Sequence, residues 1–310
     1  MKKFFAGLVY CLLYVVSILP LRVHYFFSGI MCFILKNIVR YRYSVITTNI
    51  ARSFPQMKYG EIKKLTKEYY SHMCDIFCEK IWEISHSAKA VKKHISVSKT
   101  EVVDNLEKKY GRVIAVMGHC GNWELVSAAI LSPQERTPDS FASHPVYMAY
   151  KAPESKFSDI LFRKLRMHEY RKFNFNGEVV ESRQLLRHAI GNKQSRAFYV
   201  LISDQNSIGP HDPVVDFLNQ KTYMLPGPGF LAQKLSLPTV YFRFDKISRG
   251  RYHIEFEKIG EPSDYSEPNF VTERFARLLE EDIRKNPVNW LWSHKRWKRN
   301  IEESNNNINK

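Results

Sequence analysis

The sequence predicts an α/β fold, with a mostly parallel central sheet flanked by helices and with membrane-anchoring helices at the N-terminus. Unbroken apolar runs at residues 113–117 and 198–202 are typical of strands that are covered on both faces. Segments with helical spacing alternate with such runs, which favours a sheet between helices. The third observation is that residues 4–35 are apolar almost throughout.

The apolar N-terminus is long enough to interact with a membrane. Residues 4–21 form a stretch of 18 residues, close to the ~20 that a helix needs to span a bilayer core. A signal peptide would need small residues around a cleavage site, and residues 17–21 do not supply them. We therefore predict an anchor over residues 1–42, either one spanning helix with a second at the interface or a pair in the membrane. A hairpin buried in the core is the alternative.

Periodicity divides the rest of the chain into helices and strands. Helices are predicted at residues 60–84, 123–131, 182–190 and 270–285. Strands are predicted at residues 113–117, 198–202, 239–244 and 252–256, the last two as an antiparallel pair joined by a turn at 248–250. These elements form one domain at residues 43–299, and the polar, Asn-rich residues 300–310 are predicted to be a disordered tail.

The charge balance favours acidic partners. Lys and Arg number 47 against 31 Asp and Glu, which gives a formal net charge of +16. Such a surface suits anionic lipid headgroups, nucleic acid or an acidic protein. The apolar N-terminus and the lack of a recognised nucleic-acid-binding module disfavour nucleic acid. Basic residues flank the N-terminal stretch on both sides and leave its orientation open, but the basic body of the protein favours the cytoplasmic face of the membrane.

The cysteines indicate a reducing compartment rather than a disulfide framework. They are Cys11, Cys32, Cys74, Cys78 and Cys120. Their odd number and irregular spacing argue against paired disulfides. No CxxC or HxxxH pair is present to hold zinc, so the sequence predicts neither a metal site nor a cofactor.

The segment most indicative of chemistry is residues 117–124, at the end of the first predicted strand. Open α/β sheets place their ligand sites at the carboxyl ends of strands, and two glycines in this segment allow a tight turn. On one continuous helix, His119 and Glu124 would point about 140° apart. They meet only if His119 lies in the turn and Glu124 in the first turn of a helix. Glu124 would then fix the imidazole tautomer, and the other ring nitrogen would act as a general base.

A histidine base of this kind removes a proton from an alcohol. No serine nucleophile follows His119, so direct attack of a substrate hydroxyl on a thioester is the simplest reaction for this segment. Cys120 is the alternative acyl carrier, but adjacent side chains point apart, so we expect a small packed side chain there. A structural histidine is a second alternative. A lipid hydrolase, in which water replaces the alcohol, is a third and lacks a GxSxG motif.

Several ordered motifs resemble those of the bacterial lipid A late-acyltransferase family. The His119–Glu124 spacing is similar to the HxxxxD/E motif of glycerolipid-type acyltransferases. Further blocks similar to the family lie, in the family's order, at residues 49–55, 150–166, 203–205 and 290–298. The chain departs from the family where Lys151-Ala152 replaces Arg-Pro and where residues 217–219 read Phe-Leu-Asn instead of Phe-Phe-Gly. These departures concern the acyl chain and the acceptor more than the reaction.

The resemblance implies an O-acyltransferase that moves a fatty acyl chain from a thioester donor to a hydroxyl of a lipid A precursor or related glycolipid. Acyl carrier protein is the implied donor, with acyl-CoA as the alternative. An amino-acid lipid or a lysophospholipid is an alternative acceptor. The domain at residues 43–299 would be catalytic and would lie on the cytoplasmic side of the cell inner membrane. A basic, non-catalytic protein that binds membrane lipids at the surface is the alternative of another class.

The resemblance also implies roles for individual residues. His119 and Glu124 are the implied catalytic pair. The predicted substrate-binding residues are Asn122, Arg166, Asp204 and Gln205. Arg166 suits a phosphate, because its planar guanidinium makes two-point contacts. Asp204 and Gln205 follow a predicted buried strand, where they can order the site by hydrogen bonds or orient Arg166.

Two further segments fit the implied function. The Pro- and Gly-rich residues 225–229 are predicted to shape a loop or helix entry near an acyl groove. The tryptophans and basic side chains of residues 290–297 suit an anchor at the membrane interface, since indoles and cations both favour the headgroup region.

Overall fold

A computed structural model of the chain describes residues 2–126, 144–151, 155, 157, 159–161, 164–165, 168, 177–207, 209 and 211–298. The described helices are α1 (Lys2–Ser17), α2 (Leu21–Phe33), α3 (Tyr43–Ser53), α4 (Tyr59–Glu83), α5 (Ala88–Lys92), α6 (Glu101–Tyr110), α7 (Leu185–Gly191), α8 (Gly227–Leu235) and α9 (Phe270–Lys285). A π-helical turn, Ile34–Ile38, continues α2, and short 3₁₀ helices lie at Trp123–Leu125, Pro262–Asp264 and Pro287–Asn289. The strands are β1 (Ile95–Ser98), β2 (Arg112–Met117), β3 (Val146–Tyr150), β4 (Gly177–Glu181), β5 (Ala197–Ile202), β6 (Val214–Phe217), β7 (Gln220–Tyr223), β8 (Thr239–Ser248) and β9 (Arg251–Gly260).

Seven of these strands form one sheet in the order β1-β9-β8-β2-β5-β3-β4. Neighbours in the sheet run parallel except β8 and β9, which form an antiparallel pair. Strands β6 and β7 form a separate antiparallel hairpin. The predicted α/β fold with a mostly parallel central sheet is therefore confirmed.

The central strand β2 is buried along its whole length because apolar layers cover both faces of the sheet. Its side chains alternate between two cores, as the two-residue period of a strand requires. Ile114 and Val116 pack into the core that contains α4, α8 and α9 side chains. Ala115 and Met117 pack into the opposite core, with side chains of α6. This two-sided burial explains why the strand reads as an unbroken apolar run.

Most of the predicted elements are confirmed. Strands β2 and β5 match the two predicted buried strands, and β8 and β9 match the predicted antiparallel pair. Helices α4 and α9 match the helices predicted at 60–84 and 270–285, and α7 matches the one predicted around 182–190. The segment predicted to be helical at 123–131 begins with the 3₁₀ turn Trp123–Leu125. Its part beyond residue 126 and the predicted tail at 300–310 lie outside the described residues.

The N-terminal helices lie against α4. Ser28 of α2 donates a hydrogen bond of 2.6 Å to Asp75, and Tyr25 donates one of 2.8 Å to Glu79. Within the described chain, no individual helix has both the length and the apolar character to cross a membrane. Two segments meet that requirement only jointly, Lys3–Ser17 and Leu21–Ile38, which are bent by 117° at the break between them. The anchor over residues 1–42 stays a prediction.

The predicted interfacial anchor at residues 290–297 is wrong. The side chains of Trp290 and Trp292 are 2% and 0% exposed, and their rings lie 4.8 Å apart in the core. Arg296 is also buried and donates a hydrogen bond of 2.6 Å to the carbonyl of Tyr223. These side chains pack into the buried core instead of facing a membrane, because the segment that follows α9 folds back against the sheet.

Candidate active site

Two parallel strands bring a histidine and an aspartate together. In the register of β2 and β5, Met117 pairs with Ile202 at the carboxyl ends of both strands. His119 and Asp204 each lie two residues beyond that pair. The imidazole Nδ1 is 2.5 Å from Asp204 Oδ1, and the backbone N–H of His119 donates to Asp204 Oδ2 at 2.9 Å. One carboxylate thus holds both the ring and the backbone of His119.

Asp204 is an ionised carboxylate in a buried position. Trp290 Nε1 donates a third hydrogen bond to it, at 2.7 Å. Burial by itself raises the pKa of Asp204, but the charge of His119, the hydrogen bonds from His119 and the indole of Trp290 outweigh it and lower the pKa to about 2. The site therefore places a fixed negative charge against the imidazole at neutral pH.

The opposite nitrogen of His119 faces a cavity. When Nδ1–H donates to Asp204, Nε2 carries the lone pair and accepts from the Gln205 amide nitrogen at 3.2 Å. The ring of Trp123 packs edge-on against the imidazole, with 5.4 Å between ring centroids. In this tautomer Nε2 is the unprotonated ring nitrogen, and its partner Gln205 also lines the cavity.

The cavity has a volume of about 580 Å³ and lies at the carboxyl edge of β2, β5, β3 and β4. His119 and Gln205 are among the residues that line it. Its apolar lining includes Ala149, Leu185, Leu186, Leu201, Leu225 and Leu231. Lys151 and Arg183 are the Lys and Arg side chains among the described residues of its lining. The arrangement combines an oriented base with an apolar space of the size that holds a small organic ligand or chain.

Residues 1–299 match the family described as bacterial lipid A biosynthesis acyltransferase. The chain belongs to this family. Its resemblance to lipid A acyltransferases, first indicated by ordered motifs, is thus confirmed. The protein is an acyltransferase of lipid A biosynthesis, and its acceptor is of the lipid A type. No match to an individual curated protein was found.

The acyltransferase orients its histidine with a different carboxylate from the one expected. The sequence predicts that Glu124 bonds to the ring of His119, but among the described residues that bond comes from Asp204. Glu124 lies in the 3₁₀ turn Trp123–Leu125, and its backbone carbonyl accepts from Lys80 Nζ at 2.7 Å. The expected contact between Glu124 and His119 is wrong. The register of β2 and β5 places Asp204, and not a residue of the following helical turn, beside the imidazole ring.

Two glycines let the His119 loop lie close to its supports. A Cβ at Gly118 would come within 2.6 Å of a Leu279 methyl group, and one at Gly121 within 2.6 Å of the Phe244 carbonyl oxygen. Gly121 also has φ +59°, a left-handed conformation that glycine adopts without strain. Its N–H donates to the carbonyl of Asn289 at 3.0 Å. The loop is thereby fixed against the segment that carries Trp290.

Asn122 supports the loop from behind. Its side chain is 0% exposed and donates a hydrogen bond of 2.8 Å to Glu79, so it does not line the cavity. Glu79 also accepts from the hydroxyl groups of Tyr25 at 2.8 Å and Tyr252 at 2.6 Å. Burial raises the pKa of Glu79, and these three donors oppose that rise. The sequence analysis missed Glu79; the signal was a carboxylate on the apolar face of the helix predicted at 60–84.

The remaining site predictions have different outcomes. Asp204 and Gln205 lie beside His119, where they were expected to order the site. Cys120 is buried, as expected for a packed side chain, and burial raises the pKa of its thiol well above the ordinary value.

In the motif block at residues 150–166, Tyr150 donates a hydrogen bond of 2.6 Å to Asp159. Arg166 of the same block lies outside the described residues. Within the described chain, no three His, Cys, Asp or Glu side chains group to hold a metal ion.

Proposed function

We propose that the protein transfers a fatty acyl chain from acyl carrier protein to a hydroxyl of a lipid A precursor or related glycolipid, with His119 as general base. The observation that carries this proposal is the pairing of His119 with Asp204 at the end of a largely apolar cavity. The cavity accommodates apolar chain atoms while Nε2 of His119 meets the reacting hydroxyl.

The reaction follows from the two ring nitrogens. Nε2 takes the proton of the acceptor hydroxyl while its oxygen attacks the thioester carbonyl. The imidazolium that forms is stabilised by the carboxylate of Asp204, which stays ionised because its pKa is about 2. The tetrahedral intermediate collapses to the ester and expels the thiolate, which receives the proton from Nε2. The buried, unionised thiol of Cys120 takes no part, so no acyl-cysteine forms.

Glu124 stays a proposed member of the catalytic site. It lies on the same loop as His119 and is partly exposed. Its carboxylate makes no hydrogen bond to His119 in the described chain, so its proposed contribution is to the electrostatic field of the site or to the acceptor. Arg166 likewise stays a proposed phosphate-binding residue.

The surface supports the proposed donor and location. Acyl carrier protein is an acidic partner, and the net charge of +16 favours its association by electrostatic attraction. Of the 23 large hydrophobic side chains exposed among the described residues, 17 lie between residues 4 and 41, which makes this segment the proposed membrane contact. The basic residues Lys36, Arg40 and Arg42 follow it and suit anionic headgroups on the cytoplasmic side of the inner membrane.

Transfer is tested with membranes that contain the protein, labelled acyl donors and lipid acceptors. We expect labelled acylated glycolipid with the wild type and a loss of ~10² to 10⁴ in rate with His119→Ala. The matched control is His253→Ala, which removes a histidine on β9, two strands away from β2. Retention of the rate within a factor of about three in His119→Ala would exclude the general base. Release of free fatty acid without transfer would identify a hydrolase instead.

A further inference from the structure

Two cationic residues line the cavity at the ends of neighbouring strands. Lys151 directly follows β3, and Arg183 lies two residues beyond β4. These strands are parallel neighbours, with Tyr150 opposite Glu181 at their carboxyl ends. Both cations therefore leave the sheet at the edge from which His119 and Asp204 also extend.

The charged lining of the cavity is cationic. Among the described lining residues, the Lys, Arg, Asp and Glu side chains are Lys151 and Arg183, and none is a carboxylate. Both are exposed, and the structure gives neither an ion pair within the described chain. The two carboxylates of β4, Glu178 and Glu181, line a neighbouring cleft, where Glu178 is 3.0 Å from His188. Two positive charges that line one cavity, with no carboxylate among its described lining residues, favour binding of an anion.

We propose that Lys151 and Arg183 form a phosphate-binding subsite that holds one substrate in the cavity. The guanidinium of Arg183 supplies a planar two-point contact to phosphate oxygens, and the ammonium of Lys151 supplies a second positive charge. The inference rests on the proposed function. That reaction offers two phosphates of the same chemistry: one on the glycolipid acceptor and one on the phosphopantetheine arm of the donor.

The subsite is tested by steady-state kinetics of Lys151→Ala, Arg183→Ala and the double variant, with each substrate varied while the other is saturating. Each single substitution is expected to raise KM for the phosphate-bearing substrate by about tenfold, since it removes a charge-assisted contact. The value of kcat should change much less. The substrate whose KM rises identifies the source of the phosphate.

Substrates that lack the phosphate provide the decisive comparison. The wild type should prefer a phosphorylated acceptor to its dephosphorylated form, or acyl carrier protein to an acyl-pantetheine thioester, and the double variant should lose that preference. Arg187→Ala is the matched control, because Arg187 is an exposed cation of α7 that lines the neighbouring cleft instead of the cavity. Equal KM changes for the phosphorylated and phosphate-free forms of both substrates would overturn the subsite. So would unchanged KM values in the double variant.

A binding measurement separates the subsite from the proposed reaction. In the His119→Ala background, titration with the phosphorylated and dephosphorylated glycolipid in detergent, and with both donors, measures affinity without turnover. Loss of the phosphate-dependent affinity in the double variant supports the subsite, whether or not the wild type transfers an acyl chain. If the wild type shows no transfer, only the proposed function fails. Transfer by the wild type without any phosphate-dependent affinity overturns the subsite alone.

Discussion

At the scale of single residues, two carboxylates, Asp204 and Glu124, are candidates for the group that orients His119. Asp204 holds the ring of His119 and has its pKa lowered to about 2, whereas Glu124 has the sequence spacing of the family motif. An orienting carboxylate fixes the tautomer and stabilises the imidazolium, and both effects require direct contact with Nδ1. We therefore expect Asp204 to contribute more to catalysis than Glu124 does.

We expect Asp204→Asn to lower kcat by about 10² or more, and Glu124→Gln to lower it less. The amide that replaces the Asp204 carboxylate keeps the size of the side chain but removes the charge that stabilises the imidazolium. Single-turnover rates at saturating donor and acceptor measure both effects on the chemical step. Asp216→Asn, which changes an exposed carboxylate of β6, is the control. A greater loss from Glu124→Gln would mean that the loop rearranges to bring Glu124 to His119 during catalysis.

At the scale of elements, α4 connects the N-terminal helices to the catalytic loop. Its Glu79 accepts hydrogen bonds from Tyr25 of α2, from Asn122 beside the catalytic turn and from Tyr252 of β9. Removing a donor from a buried carboxylate costs free energy, because the freed oxygen has no water to replace the lost hydrogen bond. The three hydrogen bonds to Glu79 therefore hold its partners in fixed positions. We therefore expect Glu79 to be a positioning residue, since its contact with the loop that carries His119 is made through Asn122.

We expect Glu79→Ala and Asn122→Ala to lower kcat non-additively while changing KM for either substrate little. The two substitutions break the same contact, so the coupling energy of the double-mutant cycle should be about 0.5–3 kcal/mol. Glu79→Gln, which keeps one acceptor oxygen, should restore part of kcat. Glu68→Ala, at an exposed position of the same helix, is the control. Additive effects, with thermal stability falling in parallel, would show that Glu79 only stabilises the fold.

At the scale of the whole molecule, the large exposed apolar side chains of the described residues are concentrated in residues 4–41, whereas Trp290 and Trp292 are buried. The N-terminal helices also supply hydrogen bonds to α4, through Tyr25 and Ser28. Deleting the N-terminal segment would therefore disturb the fold and membrane binding together. Substitution of exposed side chains separates the two effects.

We expect Phe26→Ser and Phe33→Ser each to lower partitioning into anionic vesicles by about tenfold, without a large change in Tm. Both side chains are more than half exposed, and burying a phenylalanine in lipid contributes about 1.5–3 kcal/mol. Vesicle co-sedimentation at several lipid concentrations measures the partition coefficient. The control is Val214→Ser, an exposed hydrophobic residue of the β6–β7 hairpin. Unchanged partitioning in both phenylalanine variants would contradict membrane contact through α2.

Local patterns in the sequence determined the elements and the chemical class. The unbroken run at 113–117 predicted β2, because a strand buried on both faces has no polar side. The spacing of apolar residues predicted α4 and α9, since a helix repeats every 3.6 residues. The order of short motifs indicated the acyltransferase family, which the match over residues 1–299 confirms.

The tertiary structure alone decided which side chains meet. His119 and Asp204 are 85 residues apart, and they pair because β2 and β5 are parallel neighbours in register, a relation that no local pattern specifies. Glu124 is five residues from His119 yet does not bond to it, because the glycine turn and the packing against Asn289 set the direction of the loop. The tryptophans after α9 have the composition of a membrane anchor. Burial against the sheet makes Trp290 a hydrogen-bond donor to Asp204 instead.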